Sequence, residues 1–98
     1  KEKKLHKIIN QKWLAMYPEG QEAWSEFRRT GYPKLFPVAN NFSATVDGGI
    51  ANGEFVKRLR FPRNDRNTNA AEVEKARGLL NGPDNEGTRL WWDTGKNF

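Results

Sequence analysis

The sequence predicts a mainly α-helical fold class, and three observations predict it. Apolar residues recur at every fourth position from Leu5 to Tyr17. A second amphipathic stretch runs into the helix-stopping segment RRTGYP. Asn69 and Glu72 then stand at capping-box spacing ahead of a third apolar stripe. Helices are expected over about 3–17, 19–30 and 69–81, with a loop-rich connection over 34–67 and room for one short strand pair.

The first helix follows from Leu5, Ile9, Trp13 and Tyr17 on one stripe, with Ile8 and Met16 at three-residue offsets, and Pro18 ends it. Its start is unusual. No Ser, Thr, Asp or Asn offers an N-cap, and Lys1, Lys3 and Lys4 crowd the positive end of the helix dipole against Glu2 alone. The expectation is a helix continued upstream, so that the chain is a piece of a longer polypeptide.

The second helix has Glu19 and Glu22 in its first turn and Ala23, Trp24 and Phe27 along one face. Arg28 and Arg29 fall in the last turn, where cations complement exposed carbonyls, and Gly31 is placed for the left-handed closing conformation before Pro33. Glu26 is spaced to pair with Arg29, and Trp24 to offer its face to Arg28. The basic-aromatic run thus reads as a helix terminus rather than a polyanion grip. Beyond it, Gly, Pro and Asn dominate. Phe55, Lys57, Leu59 and Phe61 alternate with Val56, Arg58 and Arg60, as an extended segment would. The last helix carries Val73, Ala76 and Leu80 on its stripe and is closed by Asn81-Gly82-Pro83.

Ninety-eight residues allow one domain at most. Leu, Ile, Val and Phe together number 20, close to the level below which a charged chain fails to build a core of its own. Four Trp, each able to bury roughly 150–250 Å², call for more packing surface than the chain evidently supplies. With no Cys, a disulfide framework and a thiolate metal site are excluded. A net charge of +5 and a pI near 9.8 permit an anionic partner without requiring one.

Catalytic and metal chemistry find little footing. Asp65, Asn67 and Asn69 imitate the start of a calcium loop, but Ala70 stands where Gly is needed and Ala76 where a bidentate Glu is needed. His6 is the single histidine and has no companions for catalysis or metal binding. Ser25 and Ser43 lack a nucleophile-elbow context, and Gly48, Gly49 and Gly53 match no phosphate-cradling spacing. Asn41-Phe42-Ser43 meets the glycosylation sequon. Trp91-Trp92-Asp93 is the candidate ligand-binding group, since sugars stack on indole faces and a carboxylate accepts from hydroxyls. Side chains adjacent in an extended chain diverge, so one ring at most faces a given ligand. No catalytic residue, metal ligand or cofactor is expected.

Several motifs taken together resemble one family. The run IINQKWLAMYPEGQEAWSEFRRTGYPKL, then Asn40-Asn41, RLRFP, a helix opening through Asn67 and Asn69, and a closing TRLWWD are similar to the C-terminal portion of SusD/RagB proteins, the starch-binding SusD-like outer-membrane lipoproteins. The resemblance runs from about Ile8 to Asp93. It implies a fragment of a SusD-like helical fold and a non-enzymatic protein. It also implies a lipid anchor on the extracellular face of the outer membrane in Bacteroidetes. The intact protein would capture glycans for a SusC-like TonB-dependent transporter, this piece supporting a site carried mostly by the rest of the parent polypeptide. The competing reading is a small basic nucleic-acid-binding domain, resting on the lysines from Lys1 to Lys7 and the arginines at 58, 60, 63 and 66. A third is an interaction module anchored by its tryptophans.

Overall fold

Each helix boundary in the structure, a computed structural model describing residues 1–43 and 49–96, has a local chemical cause. Residues 44–48, in the middle of the loop-rich stretch and including Gly48, and residues 97–98 lie outside the described residues. Four helices are present among the described residues: α1 (Glu2–Ala15), α2 (Gly20–Thr30), α3 (Arg63–Thr68) and α4 (Ala70–Arg77). They belong to two compact units, one formed by Lys1–Phe36 with Asp93–Phe98, the other by Pro37–Trp92.

In the first unit α1 and α2 form an antiparallel hairpin. The start of α1 meets the segment after α2, where the Tyr32 hydroxyl donates to Glu2 Oε2 at 3.1 Å and the Tyr32 ring stacks on His6 with centroids 4.8 Å apart. The far end of α1 meets the first half of α2 through Lys12, 3.4 Å from both Glu22 and Glu26. Ile9, Ala23 and Phe27 are buried in this unit, and Trp13 and Trp24 are half-buried. α1 has no side-chain cap, as its sequence implies. It ends two residues earlier than the apolar pattern suggests, because Tyr17 already lies in the turn before Pro18, 88 % exposed.

The end of α2 follows its sequence closely. Gly31 takes φ 72°, and its N–H donates to the Phe27 carbonyl at 2.7 Å. Arg29 pairs with Glu26 at 2.7 Å, and the Arg28 guanidinium lies 3.7 Å from the Trp24 ring centre. The hydrogen bond from Arg29, helped by Lys12, holds the Glu26 carboxyl below the usual range against the opposing effect of burial.

The second unit corrects three expectations. A helix, α3, occupies Arg63–Thr68 inside the stretch read as loop, so the helices number four among the described residues rather than three. Its Asn-rich sequence has low helix propensity, yet Pro62 presets the entry, Asp65 lies in the first turn and the Thr68 hydroxyl bonds back to the Asn64 carbonyl. No strand is present among the described residues. The run 55–61 is extended, but its backbone partner is a loop carbonyl, Glu86 O, which accepts from the Lys57 and Arg58 N–H groups at 2.8 and 3.3 Å. Finally, the capping box does not form. The Asn69 N–H is already spent on the Asp65 carbonyl at 2.8 Å, closing α3, so Glu72 turns to Lys75 at 2.6 Å. α4 then stops at Arg77, ahead of the Asn81-Gly82-Pro83 signal, and two further turns lead to Leu80.

A charge pair sits at the centre of this unit. Arg58, 5 % exposed, donates to Asp84 Oδ1 at 2.6 Å and to the Asn85 carbonyl at 3.1 Å; Thr88, Ile50 and Val73 are also buried in this unit. Asp84 also accepts from the Phe61 N–H at 3.3 Å. Asn85 Oδ1 gathers the N–H groups of Gly87 and Thr88 at 3.0 and 2.9 Å, and the Thr88 hydroxyl lies 2.6 Å from the Pro83 carbonyl. Burial pushes the Asp84 carboxyl up. The hydrogen bonds from Arg58 and Phe61, with the charges of Arg58 and Arg66, outweigh it and leave the group below the usual carboxylate range.

Arg58→Met is expected to destabilise the chain by about 3–5 kcal/mol at neutral pH, because it strands a buried carboxylate; Asp84→Leu added to it recovers a large part in a urea melt. The pair's contribution is full above the unfolded carboxylate value of about 3.9 and is lost as pH falls through the lower folded value. An acid titration of Asp84→Asn should therefore lack that step. Gly31→Ala, forced into the left-handed region, should cost about 1–2 kcal/mol by thermal melting.

Candidate functional site

Binding chemistry gathers at three places. The first is the RLWWD tail. Trp91 is 88 % exposed and Trp92 half-buried, a divergence expected of neighbours in irregular chain. Asp93, partly buried in the first unit, accepts the Gly95 N–H at 3.0 Å. Its charge also supports the Arg28 cation, whose pKa burial lowers. Of the three residues singled out from sequence, Trp91 presents an open aromatic face and Asp93 is engaged locally.

The second place lies wholly in the Pro37–Trp92 unit. A cleft of about 710 Å³ is lined by Leu59, Arg60, Phe61 and Pro62 from the extended run, by Arg63, Arg66 and Asn67 from α3, and by Glu86 from the following loop. Leu59 is 70 % exposed beside buried Arg58, the reverse of what an apolar-in, polar-out alternation gives. Arg60 Nε lies 3.8 Å from Glu86 Oε1. Sequence reading missed this cleft because it took α3 for loop. The available signal was the spacing Arg63, Arg66, Asn67, which brings three side chains to one helix face only if the segment is helical.

The third is an apolar groove of about 450 Å³ at the α1–α2 turn, formed by Trp13, Leu14, Tyr17, Pro18 and Ala23 with Glu19 and Gly20. Leu14 and Tyr17 are exposed there. Its chemistry is contact with another apolar or aromatic surface.

Other candidates are absorbed by the fold. The Ser25 hydroxyl donates to the Gln21 carbonyl and that of Ser43 to Asn41 Oδ1. His6 Nε2 lies 3.0 Å from the Asn10 amide, and its ring is stacked on Tyr32. The sequon residue Asn41 donates to the Ile50 carbonyl at 3.1 Å and accepts from Ser43. Asp65 and Asn67 lie two apart on α3, where side chains diverge. No group of three or more His, Asp or Glu among the described residues is arranged to hold a metal. The four arginines of the nucleic-acid reading do not form a continuous strip: Arg58 is buried on Asp84, and Arg60 leans on Glu86.

A family model described as SusD-like, Susd and RagB outer membrane lipoprotein, matches residues 1–93. Solved structures agree. A SusD homolog from Bacteroides vulgatus ATCC 8482 is 49 % identical, with a TM-score of 0.83 over 99 % of this chain and 19 % of its own. A chitin-binding SusD homolog from Flavobacterium johnsoniae is 51 % identical, also with a TM-score of 0.83, over 99 % of this chain and 20 % of its own. A SusD homolog from Bacteroides uniformis ATCC 8492 is 40 % identical, with a TM-score of 0.78 over 94 % and 19 %. The chain therefore spans about a fifth of the length of the solved relatives it matches. No curated protein matches. No helix among the described residues is long and apolar enough to cross a membrane.

With three half-buried indoles and one open one, Trp91→Phe in the 98-residue chain should remove the most readily acrylamide-quenched part of the fluorescence. Unchanged quenching would contradict the exposure of that ring.

Proposed function

The chain belongs to the SusD-like family of outer membrane lipoproteins, and from that premise we propose that it is the C-terminal part of a non-catalytic protein that captures oligosaccharides at the cell surface. The intact protein is lipid-anchored on the extracellular side of the outer membrane. It passes its glycan to a SusC-like TonB-dependent transporter, binding by ring stacking and hydrogen bonding without bond cleavage. The observation that carries the reading is the likeness, over nearly the whole chain at about half identity, to a SusD homolog that binds chitin. Chito-oligosaccharides are accordingly the first ligand class to test.

Within that protein this segment serves as architecture. The groove of Trp13, Leu14 and Tyr17 offers apolar surface that the chain leaves open, and the rest of the parent polypeptide is its partner. Trp91 is the residue here best placed to add a stacking face for a sugar.

Calorimetry on the full-length protein is expected to show binding of chitohexaose and weaker or no binding of maltohexaose, with the sugar recovered uncut by mass spectrometry. Failure to bind either sugar, or recovery of shorter products, would sink the proposal. Trp13→Ala should lower the melting temperature of the full-length protein while leaving the affinity of the folded fraction unchanged.

A further inference from the structure

From the cleft beside α3 we infer an anion-reading subsite that takes a carboxylate or sulfate group carried on a sugar ring. It rests on the glycan reading only for the body that bears the charge; the anion site stands on the cleft's own chemistry.

Three guanidinium groups, those of Arg60, Arg63 and Arg66, line the cleft against one carboxylate, Glu86, so its lining carries a net positive charge. Arg63 and Arg66 are three residues apart on α3 and share a face with Asn67, four residues from Arg63. A planar guanidinium matches the paired oxygens of a carboxylate or sulfate, and a charge-assisted bond to either is stronger than a neutral one. The remaining lining suits a sugar body. Leu59, Phe61 and Pro62 supply an apolar wall for a ring's C–H face, and the Asn67 amide and Glu86 can meet hydroxyls.

The wall is also held in place before any ligand arrives. The Phe61 N–H is tied to Asp84, which is locked to buried Arg58, and the Glu86 carbonyl receives the N–H groups of Lys57 and Arg58. Such prior ordering lowers the cost of binding. A nucleic-acid strand fits poorly, because the positive region is one cleft and its neighbour Arg58 faces inward; a phosphate backbone needs cations at repeated spacing.

The test is calorimetry on the full-length protein with tetragalacturonate, a chondroitin sulfate tetrasaccharide and neutral chitotetraose. At least one charged sugar is expected to bind, and Arg63→Gln, at an exposed position, should weaken it by about tenfold, as loss of one charge-assisted bond implies. Chitotetraose affinity and the melting temperature should not move. Arg63→Gln/Arg66→Gln should remove the charged-sugar binding altogether. The inference is overturned if neither charged sugar binds, if Arg63→Gln binds them as the parent does, or if an RNA oligonucleotide displaces them from the same arginines at lower concentration. Loss of chitotetraose binding with an intact Arg63 effect removes the chitin reading alone; the opposite pattern removes this one.

Discussion

The buried pair of Arg58 and Asp84 is the constraint around which the second unit is organised. In a chain this poor in aliphatic residues, the apolar groups buried there among the described residues are Ile50 and Val73, so much of the ordering falls to polar contacts. A buried charge pair contributes most when its geometry is good and further hydrogen bonds satisfy its remaining lone pairs. Here the guanidinium also reaches the Asn85 carbonyl, and Asp84 Oδ1 also takes the Phe61 N–H, while Asp84 Oδ2 is buried without a hydrogen-bond partner among the described residues. Those two extra bonds join the extended run to the 83–88 loop. The Asn85 side chain then gathers the N–H groups of Gly87 and Thr88, fixing the loop from the other side. The loop is folded tightly enough that a Cβ on Gly87 would come within 2.9 Å of Glu54 Oε2. A Cβ there would ask mainly for a shift of the flexible Glu54 side chain, whereas Gly31 is required by its backbone angle.

The first unit solves the same shortage differently. Its hairpin buries Ile9, Ala23 and Phe27 and then relies on its edges: Lys12 bridging to Glu22 and Glu26 near the turn, Tyr32 holding Glu2 and His6 at the open end. The Lys12 ion pairs contribute little each, on the order of 0–1 kcal/mol. Register, more than stability, is what they supply. The aromatic groups left open at Tyr17 and Phe36 in this unit, and at Trp91 in the other, fit a segment that is about a fifth of the length of its solved relatives.

The legible parts of the sequence were those whose cause is local. Arg28 on Trp24, Glu26 with Arg29, Gly31 in the left-handed region and the missing cap on α1 all depend on residues within one helical turn, and all could be read. The family likeness was legible too, because it rests on contiguous motifs. What escaped were consequences of distant pairing. Nothing near Arg58 announces that Asp84, 26 positions away, will draw it inward and leave Leu59 outside. Asn69 was read correctly as a helix opener, but its N–H had already been claimed by a helix the propensities did not suggest. Missing α3 meant missing the cleft, since Arg63, Arg66 and Asn67 share a face only on a helix.

The same pair also shapes the field around the cleft. If Arg58 faced outward, its charge would join those of Arg60, Arg63 and Arg66 and extend the positive region along the run, as a phosphate-backbone binder would need. Drawn onto Asp84, Arg58 cancels a carboxylate that would otherwise oppose an incoming anion, and the two contribute almost no net charge at a distance. Arg66 acts on that carboxylate too, since it helps hold Asp84 ionised. The cleft's positive character thus comes from Arg60, Arg63 and Arg66 without Arg58. A protein that selects single sugars by an acidic substituent requires no cations beyond these, and one that tracks a polyanion does.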